Sequence, residues 1–587
     1  MSPDAPSADV RLLLAYLRPE RRRLVALVGL LVVAMLLPLC GPLLIGRFVD
    51  EALAGADTAT LVAIALAFLA TTLTGDSLQL VVTWLSVRLA WRVGNQLRAD
   101  LCRHALGLDL DWHGEHSAGQ LIERIDGDID AVTRFASTAV LHLLGNAILV
   151  VGVLVLAALI DWRASLLIAL TVALALVVMG HMRRIAVPFY DTEREVQSHL
   201  YGDVEERLGG LEDLRANGAG RWAEHRLQVH SAGWWTAARR AAIRGDGSIG
   251  VAGAVFAAGS VLMLALGVFL SRRGEISVGA VITLVRFSQL VADPLWQVAE
   301  QLSEAQKAIA GTRRAGRLLA TRATITDGDG PPLPAGPLTA ELDAVTFGYG
   351  TGHPVLHDVS ITVPAGTTLG IVGRTGSGKT SIGRLLARLW DTEEGTVRVG
   401  GADVRSLALA DLRSRLGVVT QEVELLRAPL RDNLTLLGAV PATDEALVAA
   451  LTDVGLGEWL ASLPDGLDHL VHGDTDLSAG ESQLLAFARL LLTDPGIVVL
   501  DEASSRLDPA TEARLTEATD RLLAGRTALI IAHRLDTLAR VDQICVLDHG
   551  RVIEHGPRAE LAADPTSHFH RLLAAARGSD HPEGATR

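Results

Sequence analysis

Six long apolar segments dominate the first half of the chain. They cover residues 24–45, 60–87, 139–160, 164–182, 249–270 and 276–298, and each approaches the ~20 residues that a helix needs to cross a bilayer. Short connections join the third segment to the fourth and the fifth to the sixth, whereas long polar connections with a helical pattern follow the second and the fourth. The pattern predicts an α-helical membrane domain with six transmembrane helices rather than the buried helices of a large soluble protein.

The distribution of arginine predicts how these helices are oriented. The N-terminal segment and the two long connections contain 21 arginines, whereas the three short connections contain four. By the positive-inside rule the long connections face the cytoplasm, and an even number of spans returns the chain to that side. We therefore expect a multi-pass protein of the cell (plasma) membrane, surrounded by membrane lipids, with its second half in the cytoplasm.

Charge and cysteine content exclude some other classes of protein. The net charge of −14 argues against a nucleic-acid partner. The three cysteines lie far apart in the sequence and form no CxxC pair, so neither a disulfide framework nor a zinc site is expected.

A stretch rich in glycine and proline separates the membrane half from a different pattern. Helical periodicity continues to about residue 322, and residues 323–338 then read as a linker. From residue 339 short apolar runs alternate with helical segments, which predicts an α/β domain with a mainly parallel sheet. The expected divisions are a membrane domain at 1–322, the α/β domain at 339–577 and a disordered tail at 578–587.

A phosphate-binding loop opens the α/β domain. GRTGSGKT at 373–380 lies between a predicted strand and a predicted helix, SIGRLLARLW, and fits the pattern G-x-x-x-x-G-K-[ST]. Lys379 is one of only two lysines, against 51 arginines, which indicates that the β- and γ-phosphates require a compact, flexible charge. The residues predicted to bind the nucleotide here are Gly373, Arg374, Thr375, Gly376, Ser377, Gly378, Lys379, Thr380 and Ser381.

A second apolar run, IVVLDE at 497–502, predicts a buried strand that ends in two carboxylates. Asp501 and Thr380 would hold Mg²⁺, and Glu502 would orient the water that attacks the γ-phosphate. A solvated acidic pair at a strand end is the alternative. Together with the phosphate-binding loop upstream, Asp501 and Glu502 predict hydrolysis of a nucleoside triphosphate.

Further motifs follow in the order found in ATP-binding cassette (ABC) proteins, and the chain resembles this family. LSAGE at 477–481 resembles the signature motif, and six spans ahead of one cassette resemble an ABC exporter half-transporter of the type IV fold. The resemblance implies a helical membrane domain followed by an α/β P-loop ABC nucleotide-binding domain that hydrolyses ATP with Mg²⁺. It assigns catalysis to Glu502, His533 and Lys379. The other roles that it implies are adenine stacking for Tyr349, Mg²⁺ binding for Gln421 and a D-loop position for Asp508.

The resemblance also implies that two halves sandwich ATP between them, so that one chain's signature serves the other chain's ATP. The residues that would act in trans are Leu477, Ser478, Ala479, Gly480 and Glu481. Ala479 and Glu481 depart from the commonest Gly and Gln of the family, and Arg506 stands in the D-loop where a small residue is usual. Because the hydrolytic set is complete while the signature is altered, a heterodimer with a second half-transporter is favoured over a homodimer. Residues 110–130 and 207–220 resemble the coupling helices that connect such domains, and a generic amphipathic helix is the alternative for 207–220.

Polar residues interrupt the apolar spans. Asp76 lies in the second span, and Arg286, Gln289, Asp293 and Gln297 are spaced to share one stripe of the sixth. Such residues line a transport path or form a structural pair between helices, and the sequence does not decide between these roles. We expect export of a drug, lipid or peptide, with siderophore import and a non-transport ATPase as alternatives.

Overall fold

The computed structural model describes residues 5–350, 352–472, 477–501, 509–532 and 535–579. Contacts divide these residues into two units. The first contains the chain up to Leu106 together with Ala118–Thr321, and the second contains Gly107–Ser117 together with the chain from Arg322 onward. Gly107–Ser117, called the inserted segment below, thus belongs to the second unit although it follows the second apolar segment in sequence.

The described part of the first unit is helical. In chain order the helices up to residue 320 are α1 (Ala5–Leu17), α2 (Arg21–Leu36), α3 (Cys40–Leu53), α4 (Thr58–Leu106), α5 (Leu110–Glu115, within the inserted segment), α6 (Ala118–Ile122), α7 (Asp128–Ala139), α8 (Asn146–Ile160), α9 (Trp162–Gly209), α10 (Leu211–Ala216), α11 (Gly220–Arg272), α12 (Val278–Leu290) and α13 (Ala292–Ala320). Two π-helical stretches, Glu123–Gly127 and Val140–Gly145, connect α6, α7 and α8.

Six helical segments of the described chain are long and apolar enough to cross a membrane, which confirms the predicted class of membrane domain. Helices α4, α9 and α11 run without interruption for 49, 48 and 53 residues. At 1.5 Å per residue each is about 72–80 Å long, far more than the ~30 Å apolar core of a bilayer. The six segments are Arg11–Leu53, Thr58–Leu106, Ala118–Ile160, Trp162–Gly209, Gly220–Arg272 and Val278–Leu295.

The sixth span is not the single helix that the apolar pattern predicts. Helix α12 ends at Leu290 and α13 begins at Ala292. Pro294 supplies the physical reason, because its ring clashes with the carbonyl four residues earlier, which is that of Leu290. The stripe read from the sequence is therefore divided between two helices.

The second unit contains two sheets. Its strands are β1 (Ala340–Phe347), β2 (Leu356–Val363), β3 (Thr368–Gly373), β4 (Glu394–Val399), β5 (Ala402–Asp403), β6 (Leu416–Val419), β7 (Ile497–Asp501), β8 (Thr527–Ile531), β9 (Gln543–Asp548) and β10 (Arg551–Pro557). One sheet is antiparallel, in the order β2-β1-β4-β5. The other has the order β10-β9-β3-β8-β7-β6 and is parallel except for its β10 edge.

Helices cover the parallel sheet, as its buried strands require. Every residue of β7 and β8 is buried, and parallel strands of this kind need helices on both faces. The helix α14 ends at Leu386, so the predicted helix stops before Trp390. The last helix reaches Ser579, two residues into the expected tail, and the remainder of that tail lies outside the described residues. The helices of this unit, besides α5, are α14 (Lys379–Leu386), α15 (Leu409–Arg415), α16 (Leu430–Thr435), α17 (Asp444–Asp453), α18 (Gly457–Ser462), α19 (Ala479–Thr493), α20 (Pro509–Leu523), α21 (Arg558–Ala563) and α22 (His568–Ser579).

Two carboxylates fasten the inserted segment to the second unit. Asp109 accepts hydrogen bonds from the backbone N–H of Thr324 at 2.6 Å, from the Thr324 hydroxyl at 2.8 Å and from the backbone N–H of Ile325 at 3.3 Å. Asp111 accepts a hydrogen bond from the indole N–H of Trp390 at 2.6 Å. The segment is therefore held at both the linker and the turn that follows α14.

Candidate nucleotide-binding site

The loop between β3 and α14 has the backbone shape that a phosphate-binding loop needs. Gly376 and Gly378 have φ angles of +80° and +98°, in the left-handed region that side chains disfavour. A Cβ atom at Gly378 would lie 2.6 Å from Cδ2 of Leu356, whereas at Gly376 no heavy atom lies within 4 Å. Gly378 is thus required by packing as well as by its φ angle, whereas Gly376 leaves its backbone open to a ligand.

Lys379 is folded back into this loop. Its Nζ donates hydrogen bonds to the carbonyl oxygens of Gly373 at 2.8 Å and of Arg374 at 3.0 Å, and the residue is only 5% exposed. Burial lowers the pKa of Lys379 below its usual value, and the carboxylate of Asp501 opposes that shift. The phosphate-binding loop thus holds the ammonium group in place, next to where the phosphates would bind.

Two buried polar atoms beside the loop lack a hydrogen-bond partner among the described residues. They are Oγ of Ser377 and Oδ1 of Asp501, while the other carboxylate oxygen of Asp501 accepts a hydrogen bond from the Thr380 hydroxyl at 2.8 Å. Buried polar atoms are normally satisfied, so these two point to a ligand that would complete them. A hydroxyl and a carboxylate are ligands that Mg²⁺ accepts alongside phosphate oxygens, so the residues present fit this ion.

The topology brings the described residues of the predicted nucleotide site to one edge of the parallel sheet. Carboxyl ends of parallel strands share an edge, and here β3 leads into the phosphate loop, β6 leads to Gln421 and β7 ends at Asp501. A cleft of about 500 Å³ at this edge is lined by Thr380, Arg384, Gln421 and Asp501, among others. Glu502, Asp508 and His533 lie outside the described residues. The strands that precede Glu502 and His533 end at Asp501 and Ile531.

Tyr349 belongs to a cluster that was only partly predicted. Its hydroxyl pairs with Oγ of Ser381 at 2.9 Å and accepts a hydrogen bond from Arg384 at 3.1 Å. Its ring meets that of Trp390 edge to face, with centroids 5.2 Å apart, and the guanidinium of Arg384 lies over both rings. Sequence reasoning missed Arg384 and Trp390. The only signal in the sequence was that Trp390, an aromatic residue, stands at the end of the segment SIGRLLARLW that follows the phosphate loop.

The signature lies at the start of α19. Ser478 caps this helix and Glu481 returns a carboxylate to it, so that the two side chains form a capping box. The Ser478 hydroxyl donates to Oε2 of Glu481 at 2.8 Å. The spacing S-x-x-E announces this box in the sequence, although it was not read there. No signature residue lines the cleft beside Asp501.

The polar residues of the membrane unit are not brought into one site. Asp76, Arg286 and Asp293 are exposed, and within the described chain no carboxylate lies within 4 Å of Arg286, which donates a hydrogen bond to Gln289 at 3.4 Å. Within the described residues Arg286 thus forms no Arg–Asp pair of the kind that the sequence left open as an alternative. Gln297 instead accepts hydrogen bonds from Nδ1 of His142 at 2.8 Å and from the Asn146 amide at 3.0 Å.

Comparison with known proteins agrees with both units. Residues 24–295 match the ABC transporter transmembrane region, and residues 356–505 match the ABC transporter domain. The chain therefore belongs to the ABC transporter family, a family of ATP-hydrolysing transporters. It is a multi-pass membrane protein with its cassette on the cytoplasmic side, and the cassette binds ATP.

Particular relatives are similar over most of the chain. The multidrug efflux ATP-binding/permease protein of Mycobacterium bovis is 34% identical over 98% of this chain, which spans only 48% of that relative. The mycobactin import ATP-binding/permease protein IrtA of Mycobacterium tuberculosis is 32% identical over 84% of this chain and 58% of its own length. The chain thus spans about half the length of these relatives. An ATP-bound Atm1-family ABC exporter shares the fold, with a TM-score of 0.78 over 96% of this chain and 99% of its own, at 23% identity.

Proposed function

We propose that this chain is an ABC half-transporter that uses ATP hydrolysis to export a small or amphipathic substrate, such as a drug, lipid or peptide. The observation that carries the proposal is a phosphate loop and Asp501 arranged as a nucleotide site in a chain with six membrane spans. The efflux relative is similar over more of the chain than the importing relative, which favours export. Import of a siderophore is the second candidate, because IrtA is named for mycobactin import.

Each residue of the site has a proposed task. The loop 373–378 and Lys379 bind the β- and γ-phosphates, and Tyr349 stacks on adenine. Thr380 and Asp501, together with Gln421, hold Mg²⁺, which when bound neutralises phosphate charge. Glu502, directly after Asp501, accepts a proton from the attacking water, and His533 contacts the γ-phosphate.

The experiment on hydrolysis replaces Glu502 by Gln in the purified transporter. We expect ATP binding to persist while turnover falls by about 10²–10³-fold, the usual contribution of a general base. Glu517→Gln, at an exposed position of α20, is the matched control and should hydrolyse ATP at the normal rate. Unchanged turnover in Glu502→Gln would remove Glu502 from the mechanism.

Transport direction requires a separate measurement. Inside-out vesicles containing the protein expose the cassette to added ATP. ATP-dependent accumulation of a fluorescent drug or lipid inside these vesicles is the expected result. Release of a preloaded siderophore on adding ATP would instead establish import.

We further propose that the physiological partner is a different half-transporter. The Ser478 hydroxyl would serve the partner's ATP, but its only hydrogen is engaged by the Glu481 carboxylate. An approaching γ-phosphate would meet a negative charge, which Arg514, 3.9 Å from Glu481, compensates only in part. A weakened signature costs little activity if the partner's own site does not hydrolyse ATP.

Expression of this chain alone tests the partner proposal. We expect a poorly active product that an additional half-transporter lacking the catalytic glutamate restores. A stable homodimer with full substrate-stimulated ATPase activity would refute the heterodimer. In the chain alone, Glu481→Gln should raise the ATPase rate, because it removes the charge while retaining the hydrogen-bond acceptor.

A further inference from the structure

The inserted segment and the proposed adenine platform are joined by consecutive contacts within the second unit. Asp111 on α5 accepts the indole N–H of Trp390 at 2.6 Å. Trp390 packs edge to face on Tyr349, and the Tyr349 hydroxyl pairs with Ser381 in the first turn of α14. Four side chains thus connect a segment that interrupts the membrane unit's sequence to the helix that begins at Lys379.

The turn that carries Trp390 has a constrained backbone. Trp390 follows Arg388, which has a φ of +46°, a backbone conformation that side chains rarely adopt. Arg388 is 2% exposed, and its Nε donates to Asp391 at 3.1 Å across the turn. A strained turn of this kind persists only when its surroundings fix it, so the backbone that carries Trp390 is held in place by the cassette.

Tyr349 is constrained on its other sides as well. Phe347 meets its ring at 4.8 Å between centroids, nearly perpendicular, and Arg384 donates to its hydroxyl. Movement of the Trp390 edge would therefore tilt the Tyr349 ring rather than slide it away. An aromatic surface that stacks on a base is sensitive to such a tilt, because stacking depends on the relative orientation of the rings.

We propose that Asp111, acting through Trp390, sets the orientation of Tyr349 and so couples the position of the inserted segment to the affinity for the adenine base. Asp111 and Trp390 are positioning residues, since neither would touch the phosphates. The inference rests on the proposed ATP site and extends it. The coupling proposed here acts on the base of the nucleotide rather than on its phosphates.

The test compares ligands with and without a base in the full-length purified transporter. ATP affinity is measured by calorimetry, and inorganic tripolyphosphate serves as the probe that lacks the base. Asp111→Ala and Trp390→Phe should each weaken ATP binding about three- to tenfold, the effect of losing an exposed hydrogen bond to a charged group. Tripolyphosphate affinity should change less than twofold in both variants.

Three further variants separate the proposed contact from general damage. Asp111→Asn keeps an oxygen that accepts the indole N–H and should retain most of the ATP affinity. Glu115→Gln removes a charge from the same helix and should bind ATP normally. The double variant Asp111→Ala/Trp390→Phe should be no weaker than Trp390→Phe alone, because both changes remove one interaction.

The outcomes distinguish this inference from the proposed function. If the unmodified protein binds ATP but Asp111→Ala and Trp390→Phe bind it equally well, the inference is wrong and the ATP site stands. Equal losses for ATP and tripolyphosphate would also overturn it, since they indicate a damaged cassette. Failure of the unmodified protein to bind ATP would refute the proposed function and this inference with it.

Discussion

Replacing Lys379 by Arg conserves charge and asks whether the loop needs a compact cation. Nζ of Lys379 has two carbonyl acceptors, 2.8 Å and 3.0 Å away, in a site where the residue is 5% exposed. A guanidinium carries five N–H donors in a fixed plane. At least one buried donor would remain unpaired, at about 1–3 kcal/mol, and the extra volume adds about 1–3 kcal/mol.

The guanidinium avoids these penalties only by leaving the loop, which removes its charge from the phosphates. In both cases we expect ATP affinity to fall by about 2–6 kcal/mol, or roughly 30-fold to 10⁴-fold. Lys307→Arg is the matched control, because Lys307 is the only other lysine and its exposed Nζ pairs with Glu304 at 2.7 Å.

Calorimetric titration of the purified protein with ATP measures the affinity directly. Circular dichroism and the thermal unfolding temperature establish that the variant is folded. ATP affinity of Lys379→Arg within threefold of the unmodified protein would refute the reasoning about shape. It would also mean that the scarcity of lysine in this chain has no connection with the phosphate loop.

Three other predictions follow from the structure. In Asp501→Asn, Mg²⁺-dependent hydrolysis should be lost. The Asp501 charge partly offsets the lowering of the Lys379 pKa by burial, so this variant should have a lower Lys379 pKa. In a pH titration of ATP affinity without Mg²⁺, binding should therefore weaken at a lower pH than in the unmodified protein. Burial raises the pKa of Cys545 to about 12, so at pH 8 only ~10⁻⁴ of the Cys545 side chains are thiolate. Maleimide should therefore label exposed Cys102 in the native protein, and buried Cys545 only after unfolding. Asp50→Ala should lower the free energy of unfolding by about 1.5–3 kcal/mol in denaturation of the detergent-solubilised protein, because Asp50 accepts hydrogen bonds from Gly279 N–H and the Ser277 hydroxyl. The neighbouring change Glu51→Ala should have little effect, because half-buried Glu51 has only a loose ion pair with Arg47, at 3.9 Å.

Much of the architecture could be predicted from the sequence because its causes are local. Apolar segments of bilayer length predict spans wherever they occur, and the arginine distribution predicts their orientation. The phosphate loop could be recognised because its glycines, Lys379 and Thr380 are consecutive. The strand ending at Asp501 could be recognised because a short unbroken apolar run in an α/β domain is typical of a central strand of the parallel sheet, buried on both faces.

Some local signals were present but not read. Pro294 divides the sixth span for a steric reason visible in the sequence, and Ser478 with Glu481 forms a capping box at standard spacing. In both cases a stronger pattern dominated, the apolar run in the first and the family motif in the second.

Only the tertiary structure decided which distant residues meet. The inserted segment joins the second unit through Asp109 and Asp111, whose partners lie more than two hundred residues further along the chain. No periodicity or spacing in the sequence predicts such a pairing, because it depends on how two segments far apart in the chain pack against each other in the fold. For the same reason Trp390 reads as a helical residue in the sequence, whereas in the fold it lies between the inserted segment and Tyr349.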